Sequence, residues 1–221
     1  MRIGVLALQG DFDLHRKALA RVDARGGLGE PVESVEVRKP EQLGDLDGLI
    51  IPGGESTTLL KLMNDWGFPP ALAEFHVRGR PIFGTCAGLI LLAREVENPR
   101  QPALGLIDVS VERNAYGRQR ESFETREMAD LDGPRPVEMV FIRAPRIRRV
   151  GADVTVLARQ GDDPVMATQG GVLVASFHPE LTDDVSVHRY FCAMVQRSRR
   201  GEAPPPRPGS QAEPAGRGAG R

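Results

Sequence analysis

Pro81-Ile82-Phe83-Gly84-Thr85-Cys86-Ala87-Gly88-Leu89-Ile90-Leu91-Leu92-Ala93 decides how this chain folds. A short apolar run reaches a cysteine bracketed by small residues, and a second apolar run follows. Pro81–Phe83 reads as a strand that runs into Cys86, and Ala87–Glu95 as the helix after it. A strand that turns directly into a helix strains the residue at the turn, and bulky neighbours would clash there. Gly84 and Gly88, two before and two after Cys86, meet that demand. The helix start offers free N–H groups and a partial positive charge, both of which favour a thiolate. The bland alternative for Cys86 is a small buried hydrophobe.

Working outward, apolar segments alternate with amphipathic ones, as in a doubly wound sheet. Upstream, strands are expected at Ile3–Leu8, Ser34–Val37 and Leu49–Ile51. Helices are expected over Phe12–Val22, from a Ser56 or Thr57 cap to about Trp66, and over Pro70–Arg78. Downstream, Gly105–Arg113, Val137–Ile142, Val154–Ala158, Val165–Thr168 and Val172–Phe177 are strand-like and separated by Gly-rich turns. A last helix, capped by Asp183 or Asp184, carries the apolar stripe Val187, Tyr190, Phe191, Met194 and Val195. The fold class expected is α/β: three layers, a mostly parallel central sheet flanked by helices, and a small antiparallel extension. Residues 1–198 form the expected domain. Residues 199–221, rich in Pro, Gly and Arg, cannot bury a core and are expected to be a disordered tail.

The chain has 221 residues, enough for one α/β domain. Its 29 Lys+Arg nearly balance 30 Asp+Glu, so no strong field points to nucleic acid or a membrane surface. The apolar runs are too short to span a bilayer, and Asp11 and Asp13 follow the first one at once. A cytoplasmic protein is expected. Only Cys86 and Cys192 occur, so a disulfide framework is not indicated. Cys192 falls on the apolar face of the last helix and reads as core.

Ser176-Phe177-His178-Pro179-Glu180 ends the last apolar strand, the place where open α/β folds put their sites. In an extended backbone His178 and Glu180 project to the same side. Glu180 can then accept from one imidazole nitrogen and leave the other to take a proton from Cys86. The plainer alternative is an exposed turn with a helix-flanking carboxylate. His15, His76 and His188 lack such context and read as surface or internally satisfied histidines. No His/Cys/carboxylate spacing suggests a metal site. Leu49-Ile50-Ile51-Pro52-Gly53-Gly54-Glu55-Ser56-Thr57 is a strand ending in a Gly-Gly loop. Gly53 or Gly54 can turn an N–H inward beside that of Ala87 to bind an oxyanion, unless this is an ordinary strand–helix turn.

These segments, together with Leu6-Ala7-Leu8-Gln9-Gly10, Arg38-Lys39-Pro40-Glu41-Gln42-Leu43, Val111-Glu112-Arg113-Asn114 and Phe141-Ile142-Arg143-Ala144-Pro145, resemble class I, triad-type glutamine amidotransferases. The nearest resemblance is to the glutaminase subunits of pyridoxal 5'-phosphate synthases. It runs from Met1 to about Arg197 and is specific as a combination. It departs at Asp11-Phe12-Asp13, where smaller residues are usual, in a longer Arg25–Glu33 stretch, and in the tail.

The resemblance implies that Cys86 is the nucleophile, His178 the base and Glu180 its partner. It implies that Gly53, Gly54, Glu55 and Ser56 line the glutamine site, with Gly54 and Ala87 at the oxyanion, and that Arg113, Ile142 and Arg143 hold the glutamine backbone. Arginine suits a carboxylate through paired charge-assisted bonds, but the residues alone do not choose Arg113 and Arg143 from the arginines around them. The implied reaction is hydrolysis of L-glutamine to L-glutamate and ammonia. The implied partner is a synthase subunit in a large hetero-oligomer that receives the ammonia and raises a weak basal activity. Gln9 and Gly10 are placed to sense it. No cofactor, nucleic acid or membrane is implied; pyridoxal phosphate would be the pathway product. The rival readings are a cysteine hydrolase of related fold, such as a peptidase or deglycase, and a catalytically silent subunit.

Overall fold

Strands that are apolar on both faces must be covered on both, and they are. The computed structural model describes residues 1–113 and 122–202. The first half of the chain runs β1 (Arg2–Leu6), α1 (Phe12–Arg25), β2 (Glu33–Val37), β3 (Gly48–Ile51), α2 (Ser56–Asp65), α3 (Phe68–Val77), β4 (Ile82–Thr85) and α4 (Ala87–Leu92). Then follow β5 (Ala93–Glu97), β6 (Ile107–Glu112), β7 (Ser122–Asp130), β8 (Pro134–Ile142), β9 (Arg146–Val150), β10 (Thr155–Gln160), β11 (Asp163–Gln169), β12 (Val172–Ala175) and α5 (Ser186–Arg199).

A nine-stranded sheet has the order β2-β1-β3-β4-β12-β11-β10-β7-β8. The pairings from β2 to β12 are parallel and those from β12 to β8 antiparallel. Successive side chains of a strand point to opposite faces. Ile50 and Phe83 therefore join one apolar layer with Leu19 of α1 and Phe191 of α5, while Leu49, Ile51 and Ile82 join the other with Leu59, Phe68 and Leu89. This is the expected three-layer α/β class, with an antiparallel part as extensive as the parallel one.

The local differences have physical causes. The helix after Cys86 stops at Leu92, and Ala93–Glu97 pairs in parallel with β6. A bulge between Ala93 and Glu95 lets Ala93 and Val96 both turn inward, which imitates helical spacing in the sequence. β7 and β9 were not anticipated, because β7 is a charged ribbon alternating between exposed and half-buried residues, and β9 carries three arginines. The cap of α2 is Glu55 rather than Ser56 or Thr57: its carboxylate accepts from the Thr57 and Thr58 N–H groups at 3.1 and 2.7 Å. At α5 the cap position is Val185, and Asp184 Oδ1 accepts from Ser186 N at 2.9 Å. α5 includes Arg199, which pairs with Glu30, so the helix outruns the expected domain end. The rest of the expected tail, 203–221, and Asn114 lie outside the described residues. Among the described residues no helix is long and apolar enough to cross a membrane.

Candidate active site

Cys86 sits between the parallel strand β4 and α4 with φ 47° and ψ −98°. Positive φ is uncommon for a side-chain-bearing residue and marks strain held by its surroundings. The hold is visible: Cys86 N–H donates to Ala175 O of β12 at 2.9 Å, and Cys86 O accepts from Ile90 N at 3.2 Å. Gly88 passes so close to β3 that a Cβ there would lie 2.2 Å from Ile51 O. The small-residue requirement of the turn is thus a requirement of helix–strand contact.

β12 lies beside β4, so the segment leaving it passes the cysteine. His178 follows β12, the strand at the sheet's parallel–antiparallel seam, and its N–H donates to Val140 O of β8 at 2.8 Å. The backbone does not stay extended after His178, as the sequence had suggested. Pro179–Leu181 forms a 3₁₀ turn, favoured by the fixed φ of Pro179, and the turn brings Glu180 round to the imidazole. Glu180 Oε1 and His178 Nδ1 are 2.7 Å apart, both side chains buried. Nδ1 is thereby occupied, and Nε2 is left for Cys86.

The electrostatics follow from burial and pairing. Burial pulls the His178 pKa down, but hydrogen bonds to Cys86 and Glu180 outweigh it and raise it to about 10. Burial pushes the Glu180 carboxyl up, but His15 and the His178 hydrogen bond bring it down to about 2. Cys192 is the contrast: buried on α5 without such partners, its thiol is pushed up to about 12, as fits a core cysteine.

The Gly-Gly loop closes one side. A Cβ on Gly53 would lie 2.4 Å from His178 Cε1 and 3.3 Å from Cys86 Cβ, so bare backbone abuts both groups. Gln9 packs on the far side of the loop and accepts from Glu55 N–H at 3.1 Å. Glu55 also meets Arg113 at 3.4 Å, and Ser56 is buried with its hydroxyl donating to Gln101 at 3.0 Å. The Thr57 and Thr58 hydrogen bonds, opposed by burial, bring the Glu55 pKa down to about 2. Ile142 and Arg143 follow Val140 at the end of β8; both are exposed, and Arg143 has φ 43°.

Two residues that sequence reasoning passed over are joined to this site. His15 and His188 are fully buried, and His15 Nε2 faces Glu180 Oε2 at 3.4 Å. Internal satisfaction was the right half of the expectation; contact with the triad carboxylate was not anticipated. His76 is a half-buried residue of α3. Among the described residues no group of three or more His, Cys, Asp or Glu could hold a metal ion. A cavity of about 760 Å³ is lined by Asp153, Gly171 and Tyr190 among others. It opens where β12 begins, at the other end of the sheet from Cys86.

The sequence matches the SNO glutamine amidotransferase family over residues 5–197. It is 54% identical over 202 residues to a pyridoxal 5'-phosphate synthase subunit PdxT of Koribacter versatilis, covering 91% of this chain and 100% of that one. A PdxT subunit of Pelotomaculum thermopropionicum is 55% identical over 202 residues, covering 90% and 97%. A solved structure described as a glutamine amidotransferase superposes with a TM-score of 0.79 at 50% identity, over 88% of this chain and 98% of that one.

Proposed function

Because the chain belongs to the SNO glutamine amidotransferase family, we propose that it hydrolyses L-glutamine to L-glutamate and ammonia and delivers the ammonia to a synthase subunit that makes pyridoxal 5'-phosphate. Relatives 54% and 55% identical to it, over 91% and 90% of its length, bear the name of that synthase's subunit. The observation that carries the chemistry is the buried line Cys86–His178–Glu180 set in a strained strand–helix turn.

Cys86 attacks the side-chain amide carbon as the thiolate, opposite the His178 imidazolium. The carbonyl oxygen takes up the electron pair, and the N–H groups of Gly54 and Ala87 receive the oxyanion. His178 gives its proton to the nitrogen as the C–N bond breaks, so ammonia leaves and a γ-glutamyl thioester remains. Neutral His178 then takes a proton from water, the hydroxide adds to the thioester, and glutamate departs as the thiolate returns. Glu180 holds the Nδ1 proton throughout and stabilises the imidazolium. Arg113 and Arg143 hold the glutamine carboxylate, with Glu55, Ser56 and Ile142 around the substrate. The Arg113–Glu55 ion pair supports this by placing both beside the Gly-Gly loop.

The chain works in a large hetero-oligomer with the synthase in the cytoplasm, with residues 1–198 as the glutaminase domain and 199–221 as its tail. The test is glutamate and ammonia release from glutamine, with and without the cognate synthase subunit, with Cys86→Ala as control. Cys86-dependent release that rises with the synthase supports the reading. No release from a folded, assembled complex overturns it in favour of a silent subunit.

A further inference from the structure

Behind the triad lies a second buried line that the mechanism above does not use. Glu180 Oε1 is engaged by His178, but Oε2, equally buried, receives no hydrogen bond from the described residues. His15 Nε2 faces it at 3.4 Å and lies 3.2 Å from the hydroxyl of Thr85, the residue before the nucleophile. His15 Nδ1 is 2.9 Å from His188 Nε2. Phe83 packs edge-on against both rings, with centroids 6.2 and 6.1 Å away. His15 comes from α1, His188 from α5 and Thr85 from β4, so three separate elements meet at the one ring that faces Glu180 Oε2.

The proton positions follow from the acceptors. A carboxylate oxygen only accepts and a hydroxyl can accept, so a proton on His15 Nε2 suits both of its neighbours, Glu180 Oε2 and Thr85 Oγ1. Nδ1 then accepts, and its partner among the described residues is Nε2 of His188, which must donate. That leaves His188 Nδ1 without a proton, and it has no hydrogen-bond partner among the described residues. The line is self-consistent with both histidines neutral and one negative charge, on Glu180.

We propose that His15, itself oriented by His188, is a positioning residue for the triad: its Nε2–H holds Glu180 Oε2 so that Oε1 stays on His178. This deepens the glutaminase reading and rests on it. A carboxylate held at one oxygen can swing about its Cγ–Cδ bond; held at both, it locks the imidazole toward Cys86.

The test compares His15→Leu, which keeps the volume and removes the donor, with His15→Gln, which keeps an N–H near the same place. Glutamine turnover is measured with the cognate synthase subunit, and Cys86 alkylation by iodoacetamide on the same proteins. His15→Leu lowers kcat and the alkylation rate roughly 10- to 100-fold, the scale typical of second partners that orient reactive groups, with KM changed by less than about threefold. His15→Gln recovers most of both. Wild-type rates in His15→Leu, or His15→Gln as slow as His15→Leu, overturn the proposal. If His15→Leu does not fold, the wild-type tautomers decide: with four histidines, nitrogen NMR of the labelled chain resolves each ring. A proton on Nε2 of His15 supports the proposal, and one on Nδ1 overturns it. Absence of glutamine turnover in the wild-type complex would defeat the glutaminase reading alone, because alkylation and tautomer need no substrate.

Discussion

Gly53→Ala is the sharpest single perturbation the site offers. Gly53 does not sit in the left-handed backbone region, so alanine is conformationally acceptable there and the effect is steric. The added methyl would lie 2.4 Å from His178 Cε1, about 1 Å inside ordinary carbon–carbon contact. It cannot move toward Cys86, whose Cβ is already 3.3 Å from the same point. The imidazole must give way, yet Glu180 and its own N–H bond to Val140 hold it in place. A displacement of about 1 Å in a reacting group costs on the order of 100-fold, or about 2.7 kcal/mol of barrier. The assay is glutamate release under saturating glutamine in the complex with the synthase, with thermal unfolding alongside. The expectation is kcat down about 100-fold, with Tm lowered by a few degrees at most because the change adds no cavity. A Gly53→Ala enzyme with kcat within about threefold of wild type would refute the placement of this loop against the base.

Other outcomes follow from the same geometry. With Arg113 in its proposed role at the glutamine carboxylate, Arg113→Ala raises the KM for glutamine roughly 10- to 100-fold with kcat little changed, the loss of a charge-assisted bond worth about 1.5–3 kcal/mol; steady-state kinetics separate the two effects. Glu180→Gln lowers kcat by about 10³–10⁴, the scale seen when a triad carboxylate becomes an amide, and turnover measured at substrate saturation checks it. Phe141→Ala, which removes the ring stacked on Phe123 at 4.6 Å and packed on Phe177, destabilises the fold by about 3–5 kcal/mol in urea unfolding. His188 is held at about 3 chiefly by burial, with His15 and Arg21 adding to it and Glu180 opposing. The unfolded chain therefore binds a proton there between about 6.5 and 3 that the folded chain refuses, and its contribution to stability falls as pH drops through that window. Thermal unfolding at pH 7 and 5 should show His188→Leu losing less Tm on acidification than the wild type.

What could be read from the sequence was what local chemistry dictates. The turn at Cys86 was legible because small residues at fixed offsets have few other uses, and the strands β1, β3, β4 and β12 because their apolar runs are short and bounded. The helix after Cys86 was read too long because a bulge gives Ala93 and Val96 a helix-like spacing. β7 was hidden because its solvated face carries Glu124 and Arg126 and its other face is only half covered. The meeting of His178 with Glu180 was foreseen, but by pleat geometry rather than by the 3₁₀ turn that achieves it. His15 and His188 could not be joined to the site, because their contact spans 173 residues and no local pattern encodes it. The choice of Arg113 and Arg143 among many arginines came from resemblance; Arg113 lies near the Gly-Gly loop through its ion pair with Glu55.

The amide bond from Cys86 N–H to Ala175 O has an engineering consequence. Nucleophile and base leave neighbouring parallel strands, and this main-chain bond, made at the last rung of their ladder, sets how far apart they start. Side-chain substitutions in the surrounding loops leave that rung intact. The substrate contacts proposed at the ends of β6 and β8 are therefore separable from bond-breaking geometry, whereas the Gly-Gly loop, which abuts both His178 and Cys86, is not. Loop grafts from other amidases onto this sheet should retain an alkylatable Cys86 even where glutamine no longer fits.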